Sequence, residues 1–144
     1  MKLKKRARTS TLNQTAPPVP AAVARYSPDL DQWPRSWMGV KKDIAAGEQI
    51  VTCFQPFLAE LAGSGLTPKT VRKHVDNLWV LGGELIRDLN ETPRLRKRLI
   101  ADLVFDAVED GGLLPHQHDS EEQLRSFEST CRRYRRFLEQ QGRQ

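Results

Sequence analysis

Long apolar runs and cysteines are scarce in this 144-residue sequence. No apolar stretch approaches the roughly 20 residues that a membrane-spanning helix needs. The basic start MKLKKRAR is followed by polar residues, where a secretory signal would be apolar. The two cysteines, Cys53 and Cys131, fall at apolar, helix-like positions, which indicates reduced packing residues rather than a disulfide framework. We therefore expect a cytoplasmic protein with one domain and a modest core.

Acidic residues are missing from the first ten positions, and this absence locates the net charge of +5. Of the 23 basic residues, five lie in that tail, which leaves 18 to balance the 18 acidic residues. The net charge of the remaining chain therefore gives no argument for nucleic acid, and only local clusters can do so. Besides the tail, such clusters occur at residues 94–98 and 132–136.

The first 31 residues are predicted to be a flexible, basic and proline-rich arm. The piece TAPPVPAAVARYSP holds four of the nine prolines, and its apolar content is too low to offset the entropy of ordering the chain. Trp33 and Trp37 mark where order is expected to begin, because closely spaced indoles usually anchor a segment on a core. A helical domain is predicted over residues 32–142.

Apolar residues recur at helical spacing from Asp43 onward, and no run alternates as a strand would. The first predicted helix ends at Gly63, and Pro56 inside it predicts a kink near Thr52 or a break into two helices. Thr67 and Pro68 are typical of a helix start. Its apolar face is Val71, Val75, Leu78, Trp79, Leu85, Ile86 and Leu89.

Three further patterns complete the predicted bundle. Gly82 and Gly83 within the second helix indicate a close helix crossing. A third helix is predicted to begin at Thr92 and Pro93, with Asp119 and Ser120 as candidate caps of a fourth. The third is expected to run through Leu95, Leu99, Leu103 and Val104, and the fourth to bury Leu124, Phe127, Cys131, Tyr134 and Leu138. The sequence thus predicts an all-α fold.

Two segments together resemble a known family. The string FLAELAGSGLTPKTVRKHVDNLWVLGGEL is similar to the start of the core-binding domain of tyrosine recombinases (phage integrases). The stretch SEEQLRSFESTCRRYRRFLEQQG resembles the last helix of that domain. The likeness spans residues 43–142 and implies a SAM-like bundle of four to five helices from a bacterial or mobile-element source. It also implies that the helices beginning near Thr67 and Ser120 lie against the grooves of duplex DNA.

The resemblance does not extend to the family's chemistry. Catalysis there needs a separate C-terminal domain with an arginine, a lysine, a His-x-x-Arg motif and a nucleophilic tyrosine. Neither Tyr26 nor Tyr134 stands in such a setting, and His116 and His118 lack an arginine three residues on. His74 replaces a tyrosine that the family usually has. No phosphate-binding glycine loop is present either, so we expect no enzymatic activity, no cofactor and no bound metal.

The helix start at Thr67 suits phosphate, because free first-turn amides and the positive end of the helix dipole favour an anion. The two capped helix starts are expected to lie side by side and face one sugar-phosphate surface. Thr70, His74 and Asn77 are the candidates for reading bases, and the lysines and arginines would contact phosphates. The predicted DNA-binding residues are Lys2, Lys4, Lys5, Arg6, Arg8, Thr67, Lys69, Thr70, Arg72, Lys73, His74, Asn77, Arg125, Arg132, Arg133 and Arg136.

A plainer interpretation of these cations is that they are solvated or paired. The arginines at 132, 133, 135 and 136 could pair with Glu128, Glu139 or acids on a neighbouring helix, although two local acids cannot satisfy four cations. The predicted function is a non-catalytic module that binds double-stranded DNA as an accessory or regulatory factor. A recombinase or another protein is its expected second partner. Its expected location is the cytoplasm, in association with the nucleoid if it binds DNA. The alternative is a helical protein-interaction module, such as a regulator or antitoxin-like partner.

Overall fold

The fold is described for residues 20–109 and 120–142 by a computed structural model. Six α-helices occur in these ranges, with 3-10 turns at Leu30–Gln32 and Pro93–Lys97. No strand occurs within them, which confirms the all-α prediction. The helices are α1 (Ala21–Tyr26), α2 (Trp33–Trp37), α3 (Asp43–Ala62), α4 (Pro68–Glu91), α5 (Ile100–Glu109) and α6 (Glu121–Gly142).

The two long helices α3 and α4 form an antiparallel hairpin. A short turn joins them, and Gly65 there adopts φ +83, a left-handed conformation that favours glycine. At the other end of the hairpin, Asn90 near the end of α4 donates to Asp43 at the start of α3 (2.9 Å). This pairing of the first residue of one helix with the end of the other sets the hairpin in register.

Helix α6 packs on the hairpin through its aromatic residues. The rings of Phe57 and Tyr134 stack with centroids 4.5 Å apart, and both side chains are fully buried. The Tyr134 hydroxyl donates to the Cys53 carbonyl (3.1 Å), so the one polar atom of this ring is satisfied in the core. Of the apolar stripe predicted for α6, Phe127, Cys131 and Tyr134 are buried, while Leu124 and Leu138 are half-buried. Both cysteines are free, as predicted.

The N-terminal segment joins the core earlier than predicted. Val23 in α1 and Leu30 are each 2% exposed and belong to the main hydrophobic cluster. The boundary placed between residues 31 and 32 is therefore wrong, since the helical body includes residues 20–31. Only two apolar side chains of this segment are buried, which is too sparse a pattern to outweigh its prolines in the sequence. The anchoring role of Trp33 and Trp37 is confirmed, as both are buried.

Trp37 explains the paired glycines of α4. A Cβ added at Gly82 would lie within 2.8 Å of three atoms of the Trp37 ring, so the close helix approach predicted at this position is confirmed. The Trp37 Nε1 donates to the carbonyl of Trp79 (3.0 Å). Because the Trp37 ring fills this face of α4, Trp79 turns outward and is 42% exposed. Its predicted core position is wrong, and Leu81 is buried in its place along the helix.

Two predicted helix boundaries are also corrected. Helix α3 runs unbroken through Pro56, so the predicted break into two helices is wrong. The buried rings of Phe54 and Phe57 hold the chain on both sides of the proline. The third predicted helix is instead a 3-10 turn (Pro93–Lys97) followed by α5, separated by extended backbone at Arg98 (ψ 155). Leu99 lies at this break and is 71% exposed rather than buried.

Candidate nucleic-acid interface

Helices α4 and α6 are joined by a small polar network. The Nδ1 of His74 lies 2.7 Å from the Thr130 hydroxyl. The Asn77 amide donates to the hydroxyls of Ser126 (3.0 Å) and Thr130 (2.9 Å). Residue numbers rise along α4 as they fall along α6, so the two helices are antiparallel. The start of α4 therefore lies beside the C-terminal half of α6.

This orientation separates the two capped helix starts. From the level of Asn77 and Ser126, Thr67 lies ten residues away in one direction and Ser120 six residues away in the other. At 1.5 Å per residue the two starts are about 24 Å apart along the helix axes. The expectation that they lie side by side is therefore wrong. Only the start of α4 is close to the arginine-rich part of α6.

The cap of α4 is confirmed, and it uses most of the local donors. The Thr67 hydroxyl accepts from the Thr70 N–H (3.2 Å) and lies 2.9 Å from the Thr70 hydroxyl. The Val71 N–H donates to the Thr67 carbonyl, and Pro68 has no N–H. In the first turn of α4 this leaves the Lys69 amide for an anion, so the positive pole is smaller than predicted. Ser120 likewise caps α6 by accepting from the Gln123 N–H (3.1 Å).

The three residues predicted to read bases occupy other roles in this arrangement. His74 and Asn77 are half-buried and hold α4 against α6, while Thr70 takes part in the helix cap. Burial lowers the pKa of His74, and the positive charges of Arg133 and Lys73 lower it further. His74 is therefore a neutral interhelical contact, flanked by one cation from each helix.

The arginines of α6 divide into two groups. Those of the first group are paired with carboxylates, and Arg135 also donates to the carbonyl of Glu109. The pairs are Arg125 with Glu121 (3.7 Å), Arg133 with Glu60 (3.6 Å) and Arg135 with Glu139 (3.1 Å). Local pairing thus accounts for some of the cations but not for all of them, as the count of local acids predicted.

The second group consists of Arg132 and Arg136, which are exposed and form no ion pair with any residue that the structure describes. Lys69 and Lys73 on α4 share this property. We call these four residues the α4–α6 basic face. Arg72 borders it, with its guanidinium 5.6 Å from the centre of the Tyr26 ring, a cation–π distance.

The basic face is made of two short rows. Lys69 and Lys73 are four residues apart on α4, as are Arg132 and Arg136 on α6, so each pair lies along one side of its helix. Each row lies opposite the buried stripe of its own helix. Helix α4 packs along α3, and the α6 stripe meets α3 where Tyr134 stacks on Phe57. Because residue 74 is level with residue 130, the two rows lie at the same level of the bundle, on helices whose axes are roughly 8–10 Å apart.

Asp43 is a site residue of another kind that the sequence did not reveal. Its carboxylate is fully buried and accepts from the backbone amides of Gly39 (2.8 Å) and Val40 (2.9 Å), the Asn90 amide (2.9 Å) and Arg96 (2.7 Å). Burial alone would raise its pKa, but these donors together hold the pKa well below its usual range. Arg96, from the basic cluster at 94–98, is therefore a structural residue that ties the 3-10 turn to α3.

A groove of about 320 Å³ lies between α2 and α4. Trp37, Trp79, Gly83 and Asn90 are among the residues that line it. The exposed ring of Trp79 forms part of its wall, and its Nε1 donates to the hydroxyl of Ser36 (2.9 Å). An open, partly apolar groove of this kind suits a protein or peptide better than a phosphate backbone.

Comparison with known proteins gave no match among protein-family models, curated proteins or solved structures. The likeness to recombinase core-binding domains therefore stays a prediction. Among the described helices, none combines the length and the apolar character needed to cross a membrane. The tail cations Lys2, Lys4, Lys5, Arg6 and Arg8, together with His116, His118 and Asp119, lie outside the described residues.

Proposed function

We propose that this protein is a non-catalytic module that binds double-stranded DNA through the α4–α6 basic face. The observation that carries the proposal is the presence of four exposed cations at the same level of two adjacent helices, none of them paired with a carboxylate in the described part of the chain. Exposed surface cations without partners keep their full charge for a polyanion, whereas Arg125 and Arg133 share theirs with Glu121 and Glu60.

The spacing of the face suits a sugar-phosphate backbone. Within each row the two cations are one helical turn, or about 6 Å, apart, which is comparable to the separation of neighbouring phosphates along a strand. Contacts of this type position a protein on DNA without reading its sequence. Specific reading would then need side chains beyond His74 and Asn77, since both hold α6 in place.

The proposed role is that of an accessory or regulatory factor, because a face of exposed cations offers contacts to phosphate rather than chemistry. The resemblance to recombinase core-binding domains supports the same class of ligand. In this role the module would occupy a DNA site alone or recruit a partner, such as a recombinase, that supplies chemistry. Residues 1–8 would add a further sequence-independent contact with the backbone.

The test is the salt dependence of duplex binding, measured by fluorescence anisotropy on a duplex of random sequence. Each phosphate contact contributes about −0.9 to the slope of log K against log salt concentration. Replacing Arg132 and Arg136 together with glutamine should therefore reduce the slope by about 1.8 units. Replacing Lys69 and Lys73 should have a similar effect.

A matched control is the double replacement of Arg87 and Arg98 with glutamine. These arginines pair with Glu91 (3.2 Å) and Asp106 (2.7 Å), so the variant loses the same formal charge from paired positions. Its slope should stay within error of the wild type. Equal losses in the control and the test variants would show that net charge, rather than the basic face, governs binding. Undetectable duplex binding by the wild type at low salt would refute the proposal outright.

A protein-interaction module is the second candidate, and the α2–α4 groove is the observation that favours it. Met38 and Val40 follow α2 and are 42% and 44% exposed, close in sequence to the groove residues. If the groove is the functional site, replacing Trp79 with alanine should abolish partner capture and leave duplex affinity unchanged. Binding through such apolar anchors should also respond little to salt.

A further inference from the structure

The two ends of the α3–α4 hairpin carry different sets of cations. At the turn end lie Lys69 and the rest of the α4–α6 basic face. At the other end, the buried carboxylate of Asp43 brings the loop before α3 into contact with the 3-10 turn after α4, through its bonds to Val40 and Arg96. Residues 39–43 and 90–97 therefore form one surface, which we call the Asp43 end.

The 3-10 geometry sorts the side chains of Pro93–Lys97 into three directions. With three residues per turn, Arg94 and Lys97 lie above one another on one side. Leu95 packs against the hydrophobic core, and Arg96 reaches the carboxylate of Asp43. Arg94 and Lys97 are left exposed to solvent, and neither forms an ion pair within the described residues.

The loop on the other side of Asp43 adds two more cations. Lys41 and Lys42 are exposed at the tip of a turn that is closed by the Asp43 N–H and the Val40 carbonyl (3.0 Å). Two acids lie in residues 39–43 and 90–97. Asp43 is fully buried and paired with Arg96, and Glu91 is paired with Arg87 (3.2 Å). The exposed surface of the Asp43 end is therefore positive. Hydrogen bonds hold the backbone that carries each pair of cations, in the turn before α3 and in the 3-10 turn.

This second set is well separated from the first. Some 20 residues of α4 lie between the level of Thr70 and that of Asn90, which places the two surfaces about 30 Å apart. One turn of B-form DNA is about 34 Å long. We infer that the Asp43 end is a second surface that binds the phosphate backbone of duplex DNA, formed by Lys41, Lys42, Arg94 and Lys97. The inference rests on the proposed function, because both surfaces would take the same polyanion.

The experiment is a salt series with the full chain in which all four cations of the Asp43 end are replaced by glutamine. At about 0.9 per phosphate contact, the slope of log K against log salt concentration should fall by up to about 3.6 units. The substituted side chains have no ion-pair partners in the described structure, so helicity by circular dichroism should be unchanged. Two pair variants, K41Q/K42Q and R94Q/K97Q, should each lose about half of that amount and provide the test if the quadruple variant fails to fold.

The matched control is the double variant R98Q/R125Q, which removes the same charge as either pair. Arg98 and Arg125 are paired with Asp106 (2.7 Å) and Glu121 (3.7 Å), and all four residues lie outside the Asp43 end. A reduced slope for both pair variants with an unchanged control supports the second surface. A wild-type slope in the pair variants overturns it while leaving the α4–α6 face intact as the proposed site. If the wild type binds no duplex at all, the proposed function itself fails, and this result is distinct from the previous one.

Discussion

Replacing Gly82 with alanine tests how tightly α2 is packed on α4. A methyl group there would fall within 2.8 Å of three atoms of the Trp37 indole, closer than non-bonded carbon atoms can approach. The ring has little freedom to move away. It is 9% exposed, its Nε1 donates to the Trp79 carbonyl, and the tilted ring of Trp33 lies 5.8 Å away.

The magnitude follows from three opposing contributions. Alanine in place of glycine inside a helix stabilises it by roughly 1 kcal/mol. Overpacking in a well-packed core costs about 1–3 kcal/mol, and a displaced Trp37 would also lose a hydrogen bond worth about 1 kcal/mol. With the clash at the upper end of its range, the G82A variant should be less stable than the wild type by about 3 kcal/mol.

The neighbouring glycine supplies the matched control. A Cβ at Gly83 would lie 3.4 Å from the nearest atom of Trp37, an ordinary contact. The G83A variant should therefore keep the helix-propensity gain and be up to about 1 kcal/mol more stable than the wild type. The assay is urea denaturation followed by circular dichroism, from which the free energy of unfolding is obtained for each variant.

The refuting result is equal stability of the two variants. It would mean that Trp37 does not lie on Gly82, and that the close approach of α2 to α4 is not part of the native packing. A double-mutant cycle sharpens the test. In a Trp37→Leu background the smaller side chain relieves the clash, so the cost of the alanine at Gly82 should fall by more than half if the two residues are in contact.

Two further variants test the polar contacts of the core. Asp43→Asn should destabilise the protein by about 3 kcal/mol, because it removes one partner of a buried ion pair and leaves Arg96 without a counter-charge. The folded protein holds the pKa of Asp43 below its unfolded value near 3.9, so its contribution is complete above that pH and is lost as the pH falls further. The free energy of unfolding of the wild type should fall on acid titration, and that of the variant should not show this loss. Parallel curves for the two proteins would exclude the carboxylate as its source. Tyr134→Phe should cost about 1 kcal/mol through the lost bond to the Cys53 carbonyl, measured by urea denaturation, and no change would show that this bond does not form.

Signals between neighbouring residues of the sequence predicted the helices well. Contacts between residues that are far apart in the chain could not be predicted from it. The caps at Thr67 and Ser120 depend on partners three residues away, so spacing alone reveals them. The buried carboxylate of Asp43 depends on residues 47 and 53 positions distant. Nothing near Asp43 in the chain distinguishes it from a solvated acid at a helix start.

The candidate site shows the same division. That Lys69, Lys73, Arg132 and Arg136 point away from their apolar stripes follows from helical periodicity. Which helix ends meet does not, because an antiparallel and a parallel α4–α6 pair would bury the same stripes. The orientation is seen in the contacts of His74 with Thr130 and of Asn77 with Ser126, and these could not be assigned without the structure.

Position, rather than total charge, decides how this protein would attract DNA. Beyond the first ten residues the basic and acidic side chains are equal in number, so the body exerts little net attraction at long range. At physiological ionic strength charges act over about 8 Å. The α4–α6 basic face and the Asp43 end are about 30 Å apart, and each is therefore screened from the other. Each ion pair elsewhere on the body neutralises one acid together with one cation. Each surface therefore keeps a local excess of positive charge, which the phosphates of a bound duplex could neutralise. Under the proposed function, the two surfaces would contribute to affinity independently, because neither changes the potential at the other.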